Sequence, residues 1–298
     1  MLKHFIRWAL GLVAIFTFGL ALSACSSSSS AYNTGKKQLS VVATVDFYGE
    51  VAKAVLGSHG HVTSIITKPE IDPHDYEPTT AVGKTVAEAD IALANGAGYD
   101  SWMDKLVKAS GKAKLITAAQ IVGVKDGENE HIWYKPDAMP KIANALAKDF
   151  AKRDPANKAA YQKNAAAYIK KLQPVTDLIA KLKQGANGQR VAVSEPVFNN
   201  ALSAMGYTVS DEHFANAIED DNDPSPADLA ALKTDIKNKK IAFFVRNIQV
   251  DSKLVSELAA ECKQAGVPVL EVTETLPAGM TYVTWMSQQY QQLAKLLK

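Results

Sequence analysis

Residues 155–184 read PANKAAYQKNAAAYIKKLQPVTDLIAKLKQ, and within them Tyr161, Ala165, Tyr168, Leu172, Val175, Ile179 and Leu182 recur at steps of four and three. That spacing draws one continuous apolar stripe along a helix. Pro155 suits a first helical turn, and the segment at 1.5 Å per residue would run roughly 45 Å, long enough to traverse two lobes. Pro174 lacks a backbone donor and is expected to kink the helix without ending it, because the stripe resumes in phase. The repeat lasts only about four heptads and has no neighbouring copy, so packing across the chain's own halves explains it better than a coiled-coil seam. A rigid strut of this kind would restrict hinge motion between the regions it joins.

Outward from the strut, strand-like runs alternate with helical ones on both sides: 39–45, 62–66, 91–95 and 114–117 before it, and 190–194, 207–209, 241–245 and 267–272 after it. Alternation of this kind predicts parallel βαβ units with helices on both sheet faces. The expected fold class is α/β: two lobes, each a mostly parallel sheet flanked by helices, joined by one long rigid bridging helix. The expected boundaries are a first lobe at 38–154, the bridging helix at 155–184 and a second lobe at 185–298. Ser225-Pro226-Ala227-Asp228 supplies a capping residue, a first-turn proline and an early acid, and so marks a helix start. Asn95-Gly96-Ala97-Gly98 lacks the third glycine and downstream acid of a dinucleotide site and reads as a tight strand-to-helix turn.

The N-terminus carries Lys3 and Arg7, then an apolar run over 8–22, then Leu22-Ser23-Ala24-Cys25 and a serine run. Residues 1–24 are read as a signal peptide, Cys25 as the lipidated first residue of the mature chain, and 25–37 as a flexible tether. The chain is therefore expected outside the cytoplasm of a bacterium, anchored to the cell membrane through Cys25. Removing Lys3 and Arg7 with the signal changes the balance of 33 basic against 31 acidic residues to 31 against 31. A neutral mature chain argues against a nucleic-acid partner. Cys262 is then the remaining cysteine; it follows Val255, Leu258 and Ala259 at helical spacing and reads as a small core residue.

Asp72-Pro73-His74-Asp75-Tyr76-Glu77-Pro78 holds an imidazole in a proline-bracketed, acid-rich loop after a predicted strand. Two prolines restrict the loop, so it loses little entropy on binding, and the pattern suits the start of a divalent cation site. In open α/β sheets ligands bind beyond the carboxyl ends of strands. His74, Glu195 and Glu274 all follow predicted strands, and His131 lies in the long connection Glu130-His131-Ile132-Trp133-Tyr134-Lys135-Pro136. Two donors would come from each lobe. His59 and His61 flank Gly60 in a polar turn, and His213 with Glu219-Asp220-Asp221 reads as a solvated acidic loop.

On these residues the chain resembles the cluster A-I family of metal-binding solute-binding lipoproteins that serve zinc and manganese ABC importers. The resemblance spans nearly all of the mature chain. It is carried by the run at 72–78, a second histidine before Trp133 and Pro136, the Asn95-Gly96 turn followed by Trp102, and the long central helix. It implies two lobes on one rigid helix with a single cation in the cleft, held by His74, His131, Glu195 and Glu274. It also implies an ABC permease and its ATPase as partners, a monomer, and no catalysis. The sequence departs from the family pattern where Asn129-Glu130 precedes the second histidine in place of Asp-Pro, and where the fourth ligand is glutamate instead of aspartate. Zinc-dedicated members often carry a His-rich loop between the first two ligands. Residues 122–130 hold Lys125, Asp126, Glu128 and Glu130 but no histidine, which leans the expectation toward Mn²⁺ with Zn²⁺ close behind.

Three other functions fit these residues less well. An extracellular zinc hydrolase needs an open coordination position and a poised general base, and no His-Glu-x-x-His helix is present. A surface adhesin role is known among such lipoproteins, but no residue here specifies a host ligand. A receptor for chelated iron or heme would share the bridging helix but calls for a wider cleft. Because imidazoles bind metal only when neutral, affinity is expected to fall below about pH 6.5.

Overall fold

The structure is a computed structural model that describes residues 38–250 and 252–298. The signal segment 1–24, the Cys25 lipidation site and the tether at 25–37 lie outside the described residues. Among the described residues no helix is long and apolar enough to cross a membrane.

The first lobe is a four-stranded parallel sheet of β1 (Leu39–Val45), β2 (Gly60–Ile66), β3 (Ile91–Ala94) and β4 (Lys114–Thr117) in the order β2-β1-β3-β4. Its helices are α1 (Asp46–Leu56), α2 (Thr80–Glu88), α3 (Ser101–Ser110), α4 (Ala118–Val122) and α5 (Ala138–Arg153). The second lobe repeats the plan with β5 (Arg190–Val193), β6 (Thr208–Val209), β7 (Phe244–Asn247) and β8 (Val269–Val272) in the order β6-β5-β7-β8, again all parallel. Around it lie α8 (Asn199–Met205), α9 (Glu212–Glu219), α10 (Pro226–Lys237), α11 (Lys253–Ala265) and α12 (Tyr282–Leu296). Strands such as β3, buried at every position, are continuous apolar runs because helices cover both faces. In both sheets the chain steps outward, then returns to the other side of its first strand, so each sheet has a switch point beyond its strand ends.

The strut is two helices, α6 (Lys158–Lys171) and α7 (Gln173–Ala186), preceded by a 3₁₀ turn at Pro155–Asn157. The kink expected at Pro174 takes the form of a one-residue break at Leu172. Pro174 cannot donate to the carbonyl of Lys170, so the turn tightens: Leu172 N–H donates to Ile169 O at 3.0 Å and Val175 N–H to Leu172 O at 3.0 Å. The apolar stripe continues through the break, and all seven of its members are buried.

α12 crosses back to the first lobe. Its N-terminal Tyr282 N–H donates to Glu50 Oε2 at 2.8 Å, and the Tyr282 hydroxyl donates to Trp133 O at 2.6 Å. Trp285 stands 5.7 Å from Phe47 and 5.9 Å from Tyr134, and Tyr134 stands 5.0 Å from Phe198. Tilted and edge-on aromatic pairs of this kind each contribute about 0.5–1.5 kcal/mol beyond burial, so the seam between the lobes is a packed aromatic core. Cys262 is fully buried in the second lobe's core, as its helical spacing predicts.

β7 begins three residues later and ends two residues later than the run at 241–245 suggested. Its register is set by pairing with β8, from Phe244 opposite Val269 to Asn247 opposite Val272. The shift places the polar Asn247 at a strand end.

Candidate metal centre

His131 follows α4 in the connection to a 3₁₀ turn at Ile132–Tyr134, and three asparagines fix its backbone. Its N–H donates to Asn129 Oδ1 at 3.0 Å, and its carbonyl accepts from Asn200 Nδ2 at 2.9 Å. Asn95 Nδ2 donates to Glu130 O at 3.0 Å, and Asn95 Oδ1 accepts from the Tyr48 hydroxyl at 2.6 Å. The Asn95-Gly96 turn is itself held by Asp100, whose carboxylate accepts from both backbone N–H groups. Gly96 sits at φ +76°, and a Cβ there would come within 3.1 Å of Ala119 and Thr117 side-chain carbons, so the turn needs glycine.

The imidazole of His131 is wholly buried, and among the described residues neither ring nitrogen has a hydrogen-bond partner. Leaving both unpaired in the interior is costly unless something else satisfies them. What faces them is His74, Glu274 and Glu219. One donor atom from each of His74, His131 and Glu274 lies within 4.8 Å of the others, and the same holds for His74, Glu130 and Glu219. Two ligands on opposite sides of a transition-metal ion are at most about 4.6 Å apart, so these separations are nearly those of a filled coordination shell. Glu274 Oε1 and Glu219 Oε1 are also buried without a hydrogen-bond partner among the described residues. One imidazole and two carboxylates thus bring orphaned atoms to the same place, with His131 Nε2 3.5 Å from Glu219 Oε1.

Burial pushes His131 down to about 3, with the neighbouring His74 adding to the effect, so the imidazole is neutral at any ordinary pH. Burial pushes Glu274 up to about 8, with Asp72 and Glu195 raising it further while Tyr99 offsets part of the shift. Glu219 goes up to about 9 by burial and the proximity of Glu130, Glu195 and Glu274. Carboxyl groups crowded this way hold protons because no positive charge separates them. A divalent cation is the charge the arrangement lacks.

His74 is reached by a loop whose turn is closed by its own N–H donating to Asp72 Oδ1 at 2.8 Å. Its ring meets Tyr99 edge-on at 4.8 Å, and its Nε2 is 3.9 Å from Glu130 Oε1 and 4.0 Å from Glu274 Oε1. Glu274 is placed by Gln249, whose Oε1 accepts from the N–H groups of Glu274 and Thr275 at 2.7 and 2.9 Å. Glu195 is buried at the head of the turn Pro196–Phe198, where its Oε2 accepts from Asn247 Nδ2 at 2.8 Å. It belongs to neither three-donor group, although burial raises it to about 7 with Asp72 and Asp221 adding to the shift.

Against known proteins, the family described as ZnuA, zinc-uptake complex component A, periplasmic, matches residues 41–296. The chain belongs to this family. The high-affinity zinc uptake system protein ZnuA of Bacillus subtilis is 26% identical over 95% of this chain and 96% of its own length. The manganese ABC transporter substrate-binding lipoprotein scaA of Streptococcus gordonii is 32% identical over 54% of this chain and 56% of its own. In fold, the chain matches a Mn-bound periplasmic metal binding protein from Candidatus Liberibacter asiaticus at TM-score 0.74 and 18% identity, covering 88% of this chain and all of that one. The family is one of substrate-binding transport proteins, so the chain is a carrier and not an enzyme.

Of the four donors the family resemblance implies, the structure brings His74, His131 and Glu274 together, and leaves Glu195 outside that group but within electrostatic reach of Glu274. Glu130 and Glu219 join the cluster without having been singled out. Glu130 stands at the departure from the family's Asp-Pro. The sequence pattern places Glu219 in a solvated acidic loop with His213, Asp220 and Asp221, but Glu219 is half-buried while the other three are exposed. It closes α9, whose buried Phe214 and Ala215 turn the helix so that its last residue faces His131 at 3.5 Å. The helical spacing from Phe214 to Ile218 carried the signal.

Proposed function

We propose that this protein captures one divalent transition-metal ion between its lobes and hands it to an ABC permease driven by its ATPase. His74, His131 and Glu274 are the proposed ligands. Glu195 completes the shell through its second oxygen while Asn247 holds the first, a common way for an outer residue to orient a ligand. The observation that carries the reading is the wholly buried His131 imidazole with two unpaired nitrogens, set against an unpaired Glu274 oxygen and His74.

The surrounding donor set holds more carboxylates than imidazoles, which favours Mn²⁺ over Zn²⁺, although intrinsic affinity at such a site still follows the order that places Zn²⁺ above Mn²⁺. The proposed working form is a monomer outside the cytoplasm, anchored by lipid at Cys25. The order of signal, small residues and cysteine supports this, as do relatives named as lipoproteins.

Elemental analysis of the mature chain, purified without chelators, should find about one Mn²⁺ or Zn²⁺ per protein, and His131→Ala should carry almost none. Wild-type metal content in the alanine variant would overturn the reading.

A further inference from the structure

A cleft of about 790 Å³ opens beside the metal centre between the 127–130 segment and α8 and α9. Glu128, Glu130, Glu212, Glu219 and Asp220 line it, and its described lining contains no Lys, Arg or His. Even with Glu219 holding its proton, acids of one sign lining a cleft focus the field and concentrate cations there. Two of these acids, Glu130 and Glu219, also form the second three-donor group with His74. His131 lies deeper, wholly buried, with its unpartnered Nε2 3.5 Å from Glu219 Oε1. Glu219 thus touches both the cleft and the buried imidazole, while His74 belongs to both donor groups.

We infer that His74, Glu130 and Glu219 form a transit position that takes an incoming divalent cation from the acidic cleft and passes it to His74, His131 and Glu274. The inference rests on the metal-binding function proposed above. Moving from one group to the other, the ion keeps His74 throughout and exchanges two carboxylates for an imidazole and a carboxylate. It is therefore never left without a protein ligand. The smaller pocket of about 400 Å³ on the Glu274 side also carries Glu70 and Asp72, but its size and its closure make it a poorer entrance. Pro69, Ile71, Ile248 and Val250 contribute apolar wall to it, and hydrogen bonds from Gln249 and Thr275 to Pro69 O span it.

A transit position lowers the barrier in both directions, so its loss slows association and dissociation alike and leaves the equilibrium nearly unchanged. Stopped-flow binding of Mn²⁺ alone and Zn²⁺ alone to the full mature chain reads this through tryptophan fluorescence, Trp133 lying 5.2 Å from His131. In Glu130→Gln/Glu219→Gln, both rate constants should fall about tenfold with Kd within about threefold, and the salt dependence of association should flatten. Each single variant should show part of the same effect. Unchanged association in the double variant overturns the inference, and so does a Kd that weakens as much as association slows, which would make the two carboxylates end-state ligands. His131→Ala, run alongside, should abolish tight binding; if it binds like the wild type, the proposed function itself fails, separately from the transit position.

Discussion

His131 and His74 are both offered to the same point in space but are held in opposite ways. His131 is wholly buried, and its backbone is hydrogen-bonded to Asn129 within its own lobe and to Asn200 of the other. The His74 side chain is 32% exposed, on a loop whose tie to the second lobe is the carbonyl of Pro69, which accepts from Gln249 Nε2 at 3.0 Å and Thr275 Oγ1 at 2.9 Å. The first imidazole is positioned before any ion arrives. The second can adjust to it. A carrier that must both bind and release has use for one fixed donor and one adaptable donor, because strength comes from preorganisation and release needs a ligand that can leave.

On that contrast, the largest effect belongs to the fixed donor. By titration calorimetry with Mn²⁺ and Zn²⁺, His131→Ala should weaken binding at least about a hundredfold, and His74→Ala about tenfold, since carboxylates remain around the exposed position. Equal losses would erase the distinction.

Next in size is a pH effect. Folding raises Glu274 from 4.5 to about 8 and Glu219 from 4.5 to about 9, so across that range the metal-free folded state keeps protons that the unfolded chain has released. Stability of the metal-free protein must then fall as pH rises through the window. His131 acts the other way, but only between about 3 and its unfolded value of 6.5. From pH 6.5 to 9 the carboxylates act alone, and a bound cation would replace their protons. The gap in Tm between metal-loaded and metal-free protein should widen by several degrees over that range. A constant gap in calorimetric scans would show that a bound cation does not displace the Glu274 proton. Proton competition thus reaches above the pH 6.5 expected from imidazoles alone.

A finer probe removes the supports and leaves the donors. Asn200→Ala frees the His131 carbonyl and should weaken metal binding about tenfold, whereas Asp72→Ala, which opens the His74 turn, should cost less. The reverse order, measured by the same titrations, would make the exposed loop the better-organised half. The smallest effect is expected from Gln249→Ala, which cuts the ties at Pro69 and Glu274. Urea unfolding of the metal-free protein should register a loss of about 1–2 kcal/mol, with affinity changed less than about threefold. A larger change in affinity than in stability would mean that the His74 loop is as fixed as His131.

Much of this molecule could be read from one chain. The apolar stripe from Tyr161 to Leu182 announced a strut because helical periodicity is a local property, and the break at Leu172 moved none of its members off the buried face. Strand order could be bounded as parallel because the runs alternate with helices. His74 stood out because two prolines and three acids around one imidazole are a local pattern. Glu219 did not, since three consecutive acids look solvated until a helix rotates the first of them inward. Asn247 was hidden for a related reason: the apolar run stops at Val245, and only pairing with β8 carries the strand on to the residue that holds Glu195.

What the sequence by itself determined is whatever depends on neighbours along the chain: two α/β halves, a helical strut, a proline-bracketed histidine, and a candidate donor after each of several strands. What only the tertiary structure decided is which donors meet. His74, Glu130, His131, Glu219 and Glu274 are spread over both lobes, and their gathering into two groups of donors within 4.8 Å depends on strand register, helix rotation and the aromatic seam between the lobes. Those are sums of many weak contacts between distant segments, and no short stretch of residues encodes them.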